Sequence, residues 1–269
     1  MVDKTTENLE KWCSAGGIEF IDSEAEAAYK RRARRIADVV QLKVPDRVPV
    51  VPSFGMFPYL DNGLTCEEAV FDYEKADVAA MKTLEEALPY RDRIIAVGLD
   101  SAEIGNPPSK FQEVFTRARE AGFLTVAHGG EEGPAEYVRE ALELLKVSRV
   151  DHGNKCLDND ELAGELIRFK IPLTVCPLSN LRLKLIDSMQ EHPLRRMMEK
   201  GLLVTVNSDD PAYFGGYINE NYLAITKALN LTADDVCKLA RNSFEASFLE
   251  ESKKDKMFAK VHEYKKMYE

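Results

Sequence analysis

Four polar clusters in this 269-residue chain have the residue types and spacing to do chemistry. His128-Gly-Gly-Glu131 sets an imidazole just ahead of a carboxyl group, and Asp151-His152-Gly153 sets another beside a carboxylate. Asn207-Ser208-Asp209-Asp210-Pro211 carries a carboxylate pair, and Asp100 and Glu103 stand together in a fourth cluster. Only four histidines occur in the chain, and two of them fall in these clusters. One such histidine alone is more often structural than functional. Carboxylates gathered at one site repel, so they are normally retained around a cation or with shared protons. The set therefore points to metal-assisted hydrolysis with a carboxyl group as proton donor.

These clusters end short apolar, β-branched runs. Strands are expected at Ile94–Asp100, Leu124–His128, Arg149–His152, Leu173–Cys176 and Leu203–Asp209, with an earlier one at Arg47–Pro52 and a weaker one at Gly16–Asp22. Near-continuous apolar runs suit strands buried on both faces of a parallel sheet. Helical patterns lie between them at Ser109–Ala121, Glu136–Leu145, Asp160–Arg168 and His192–Lys200, with Gly122 and Gly201 placed to stop the first and last. Strands alternating with helices of this length give βαβ units. The expected fold class is α/β, with TIM-barrel-like parallel βα units. Functional groups in such a barrel sit where strands end and βα loops begin. Six clear strands and one weak one fall short of eight, so the ring is incomplete, rebuilt or completed by a partner chain in a homo-oligomer.

Composition narrows the class further. At 269 residues the chain has the length of one barrel, and 45% apolar content is ample for a core. No apolar run is long enough for a membrane span, and MVDKTTENLEKW lacks the apolar region of a signal peptide. Lys and Arg number 36 against 46 Asp and Glu, and a net charge of −10 disfavours a nucleic-acid partner. The basic run KRRARR in Ser23–Leu42 then reads as a solvated helix face. Five scattered cysteines without a CxxC pair suit buried thiols in a reducing cytoplasm. Among them Cys176 reads as packing rather than as a ligand. His192 reads as a cap or surface residue, and His262 as solvated. Tyr213 and Phe214 suit either a cover over the site or the core.

The stretch from Tyr90 to about Leu249 resembles the adenosine and adenine deaminase family. The motifs that carry it are GLDSAEIGNPPSKF, VAHGGEEGPAEYV, RVDHG, IPLTVCPLSN, VTVNSDDPAYFGGY and RNSFEASFL. The resemblance implies a (β/α)8 barrel that replaces the 6-amino group of adenine or adenosine by oxygen and releases ammonia. It implies a zinc site with His128 and Asp209 as ligands. Asp209 would also hydrogen-bond the attacking water, which His152 would orient and help deprotonate. Glu131 would protonate purine N1, and Asp210 would bind N7. The loop Asp100–Glu103 would lie along the other edge of the purine.

This chain departs from the family pattern at its start. The deaminases begin with a His-x-His pair that supplies two zinc ligands, and no His-x-His occurs here. Residues 25–87, through KRRARRIADVVQLKVPDRVPVVPSFGMFP and TCEEAVFDYEKA, resemble instead the uroporphyrinogen decarboxylase and corrinoid methyltransferase family. The chain thus looks like a chimera of two barrel families, 1–89 and 90–269, within one compact domain. RVPVVPSFG takes the place of the lost first strand, with no zinc ligand. Catalytic zinc normally needs three protein ligands plus water, so two leave weak or no turnover as the expectation. The alternative is an inert, engineered or recombined barrel scaffold.

Overall fold

A computed structural model describes Glu10, Cys13–Ser14, Phe20 and residues 23–40, 73–100 and 102–267. The chain divides into two compact units, Met1–Ser53 and Phe54–Glu269. In the first, helix α1 (Ser23–Val40) contains the basic run. Lys30, Arg31 and Arg34 are exposed along it, as expected of a solvated face. Arg34 reaches Glu10 at 2.8 Å, while Ala33 is buried with Cys13.

The second unit is built on five parallel strands. These are β1 (Ala96–Leu99), β2 (Leu124–Gly129), β3 (Arg149–His152), β4 (Leu173–Val175) and β5 (Val204–Val206), hydrogen-bonded in that same order. Each strand pairs with the next in sequence, and helical segments fill every connection. Such sequential winding is the barrel pattern; a doubly wound sheet reverses its order at a switch point. The fold class is therefore α/β with TIM-barrel-like parallel βα units, five of whose strands lie among the described residues.

Helix α2 (Tyr73–Ala87) precedes the sheet, and α3 (Gln112–Glu120), α4 (Ala135–Glu143), α5 (Asp160–Phe169), α6 (Pro177–Arg182) and α7 (Leu194–Lys200) connect or follow its strands. Beyond β5 come the single turn α8 (Pro211–Phe214) and then α9 (Ile218–Leu229), α10 (Ala233–Glu245) and α11 (Glu251–Lys266). The stretch expected as one helix at Ser109–Ala121 is a 3-10 turn over Pro108–Phe111 running into α3. The stretch expected at His192–Lys200 starts at Leu194, since Pro193 occupies the N-cap. The expected strand at Arg47–Pro52, and all of Gly16–Asp22 except Phe20, lie outside the described residues.

Strand alternation gives the sheet two unlike faces. The paired row Ala127, Val150, Leu173 and Val204 has no exposed surface. It belongs to a core with Val138 and Ala141 of α4, Leu162 and Leu166 of α5, and Leu194 and Met197 of α7. The neighbouring row, on the other face, is polar: His128, Asp151, Thr174 and Thr205 pair across β2 to β5. Within that row Thr174 Oγ1 donates to Asp151 Oδ1 at 2.8 Å, and Arg149 Nε lies 3.2 Å from the same oxygen. One face thus supplies burial, and the other supplies the row from which the site is built. Beside β5, Asn242 of α10 donates to the Val204 carbonyl at 2.8 Å, satisfying a backbone group that would otherwise be lost in the core.

Candidate active site

The carboxyl ends of the strands bring the sequence-predicted residues together. His128 lies near the end of β2 and His152 ends β3, with their ring centroids 4.6 Å apart. Strict alternation would put His152 on the same face as Val150, against the helices. His152 instead adopts φ +65°, and the left-handed backbone breaks the alternation. Asp209, just past β5, is also left-handed at φ +55°. Strained conformations of non-glycine residues persist where the surrounding structure holds them, and they cluster at functional sites.

Ligand atoms of His128, Glu131 and His152 lie within 4.8 Å of one another, and those of His152, Cys176 and Asp209 form a second such group. Asp100, which follows β1, places Oδ1 3.1 Å from His128 Nε2. Asp210 is exposed but feels the charges of Asp209, Asp100 and His128. All five expected site residues, His128, Glu131, His152, Asp209 and Asp210, therefore gather at one end of the sheet.

Burial sets the protonation of two of them. The Glu131 carboxyl is pushed up to about 7, first by burial and then by the charge of Asp209, against the opposing pull of His128. The His152 ring is held down to about 3 by burial and by His128, so it is neutral around pH 7. Its Nδ1 comes within 3.2 Å of Glu131 Oε1, without the alignment of a hydrogen bond. Burial and Asp209 also raise the Asp210 carboxyl. A protonated acid beside a neutral imidazole is an arrangement able to move protons.

Glu103 supports the site from below its surface. It is 4% exposed, and its carboxylate accepts the backbone N–H groups of Gly130, Glu131 and Gly133 at 3.0, 3.0 and 2.8 Å. It holds the loop that carries Glu131. Ser179 and Asn180, both fully buried in α6, donate to Glu131 Oε1 at 3.2 and 3.3 Å. The sequence signal for both was present in the PLSN motif. Polar residues directly after an apolar strand must find buried partners.

Other expectations divide. Cys176 is buried, with its thiol pushed well above its ordinary value by burial and by Asp209, yet it also stands in the group with His152 and Asp209. Cys237 is only half-buried, which corrects the expectation of buried thiols throughout. His262 is exposed, as expected. His192 is not at the surface but does cap: it is 3% exposed, its Nδ1 accepts the backbone N–H of Leu194, the first residue of α7, and its Nε2 lies 3.1 Å from Asn180 Oδ1. Phe214 is packed in the interior, whereas Tyr213 is 81% exposed.

The described donors do not make up the metal centre that the family resemblance implies. His128 Nδ1 is buried without a hydrogen-bond partner, so it is a free donor. Of the implied ligands, however, the chain supplies only His128 and Asp209, because its two remaining histidines outside the site clusters are the buried His192 and the exposed His262. Two ligands fall below the three that a catalytic zinc ion takes.

The fold is an α/β barrel-type sheet that gathers an acid, two imidazoles and paired carboxylates at its strand ends, where barrels of this kind carry their functional groups. Residues 62–264 match the adenosine deaminase family, and the chain belongs to it. The match overlaps residues 62–87, where the second resemblance was expected, and it takes in α2. Adenine deaminase of Hahella chejuensis is 57% identical over 186 residues, which are 69% of this chain and 56% of that protein. The chain therefore spans little more than half the length of the curated relatives it matches. The crystal structure of an adenine deaminase from Arthrobacter aurescens superposes with a TM-score of 0.72 at 30% identity, covering 97% of this chain and 95% of that one. An amidohydrolase from Burkholderia ambifaria with bound Zn shares the fold, with a TM-score of 0.68 at 24% identity over 98% of this chain and 72% of that one. Among the described residues no helix is long and apolar enough to cross a membrane.

Proposed function

We propose that the chain derives from a purine deaminase that hydrolyses the 6-amino group of adenine or adenosine, and that it retains the proton-transfer half of that site. The observation that carries this reading is Glu131, a buried carboxyl whose pKa is raised to about 7, set between a neutral imidazole and one amide and one hydroxyl donor. Glu131 protonates purine N1, which makes the ring carbon bearing the amino group more electrophilic. His152, neutral and 3.2 Å from Glu131, orients the attacking water and accepts a proton from it, and Asp209 hydrogen-bonds that water. The oxygen of the water bonds to the ring carbon. The amino group takes up the proton held by His152 and leaves as ammonia as the carbon–nitrogen bond breaks, and the remaining hydroxyl proton returns to Glu131, leaving the 6-oxo product. Asp210 binds purine N7.

Zinc would belong at His128 and Asp209, but the missing ligand pair leaves that half of the site incomplete, and turnover is weak or nil. The same shortage favours a second reading, a recombined barrel scaffold that keeps deaminase side chains without the chemistry, the join lying near Pro89–Tyr90. Ammonia release from adenine and adenosine, with and without added zinc, separates the two. Turnover abolished by Glu131→Gln supports the enzyme. No release by the parent chain under saturating zinc leaves the scaffold.

A further inference from the structure

The proton donor has two oxygens, and the fold treats them differently. The origin of that difference is His192, a residue with no part in the chemistry above. The backbone N–H of Leu194 donates to His192 Nδ1 at 3.1 Å, so Nδ1 presents its lone pair. Burial keeps the ring neutral, holding it down to about 4. A neutral ring whose Nδ1 accepts carries its proton on Nε2. That nitrogen stands 3.1 Å from Asn180 Oδ1, so it donates there. The Asn154 amide donates to the same oxygen at 2.7 Å, and the two donors together fix which end of the Asn180 amide is oxygen. The other end, Nδ2, is thereby turned to Glu131 Oε1 at 3.3 Å.

Ser179 Oγ reaches that same Oε1 at 3.2 Å, and His152 Nδ1 also lies 3.2 Å from it. Among the described residues no hydrogen bond falls on Oε2. An oxygen already receiving two donors is the acceptor oxygen of a carboxylic acid, so the acid proton resides on the other. We infer that His192 and Asn180 are positioning residues that reserve Oε1 of Glu131 as an acceptor and so present its proton on Oε2 to a bound ligand. This deepens the proposed role of Glu131 as proton donor and rests on it. Neither residue touches the ligand: the backbone of Leu194 sets the His192 tautomer, the tautomer sets the Asn180 amide, and the amide sets the acid.

The test needs a readout independent of turnover. In the full chain labelled with 15N-histidine, the His192 ring signals are assigned by their loss in His192→Phe. They will show a protonated Nε2, and Glu131→Ala will shift them through the intervening amide. In an Asn180→Leu background the same Glu131→Ala change will leave them unmoved. A protonated Nδ1, or His192 signals indifferent to Glu131 when Asn180 is present, overturns the inference even if the chain deaminates purines. Where turnover is measurable, Asn180→Leu will lower kcat about tenfold with KM within about twofold, since it disturbs the acid rather than binding. His192→Gln, which keeps a donor for Asn180, will recover part of kcat relative to His192→Phe. An unchanged kcat in Asn180→Leu contradicts the inference.

Discussion

At the scale of single residues, the site costs stability, and the cost has a definite pH dependence. Glu131 has an ordinary value of 4.5 and is raised to about 7 in the folded chain. Below pH 4.5 it is protonated whether folded or not. Between there and about 7 the unfolded chain releases its proton first, so stability falls as pH rises. Glu131→Gln is neutral at every pH. It should therefore be more stable than the parent by up to about 3 kcal/mol at pH 8 and by almost nothing at pH 4, read by urea denaturation. An equal difference at both pH values would show that the carboxyl is not held protonated. Glu103 instead stabilises the fold through its hydrogen bonds. Removing its carboxylate in Glu103→Ala leaves three buried backbone N–H groups without an acceptor and should cost about 3 kcal/mol. A loss below about 1 kcal/mol would mean that the loop finds other partners. Residue types and strand ends were enough to nominate His128, Glu131, His152, Asp209 and Asp210. The contacts that Ser179 and Asn180 make with Glu131 were not legible, because a hydrogen bond spanning 48 or 49 residues leaves no local pattern.

At the scale of elements, strands were read more surely than helices. The run Arg149–His152 was expected and found with the same bounds, and the other four strands of the sheet fall inside or within a residue of their expected runs. Buried β-branched runs bounded by polar residues mark parallel strands clearly. Helices α9 and α10 were not anticipated, although Thr232 and Asp235 form a reciprocal N-terminal cap for α10. What periodicity could not show was where the backbone leaves its regular path. His152 and Asp209 depart through positive φ, and nothing in either side chain announces it. Gly153, directly after β3, is also left-handed at φ +77°, and a Cβ there would stand 2.6 Å from Leu173 Cδ2. Gly153→Ala should cost about 2 kcal/mol, from backbone strain and from crowding a fully buried leucine. Thermal denaturation reads this directly, and a neutral change would place the β3–β4 contact elsewhere.

At the scale of the whole molecule, membership of the adenosine deaminase family and the departure from it lie in different parts of the chain. The matched residues hold the acid, the imidazoles and the carboxylate pair on five consecutive parallel strands. The His-x-His pair is absent from all 269 residues. The residues proposed for proton transfer are gathered at one end of the sheet, whereas of the zinc ligands that the family resemblance implies the chain supplies His128 and Asp209. The most direct measurement is the zinc content of the purified full chain after equilibration with zinc and dialysis, by elemental analysis. A site limited to His128 and Asp209 will retain well under one equivalent, and His128→Ala will not change that value. One tightly held equivalent, lost in His128→Ala, would contradict an incomplete metal centre.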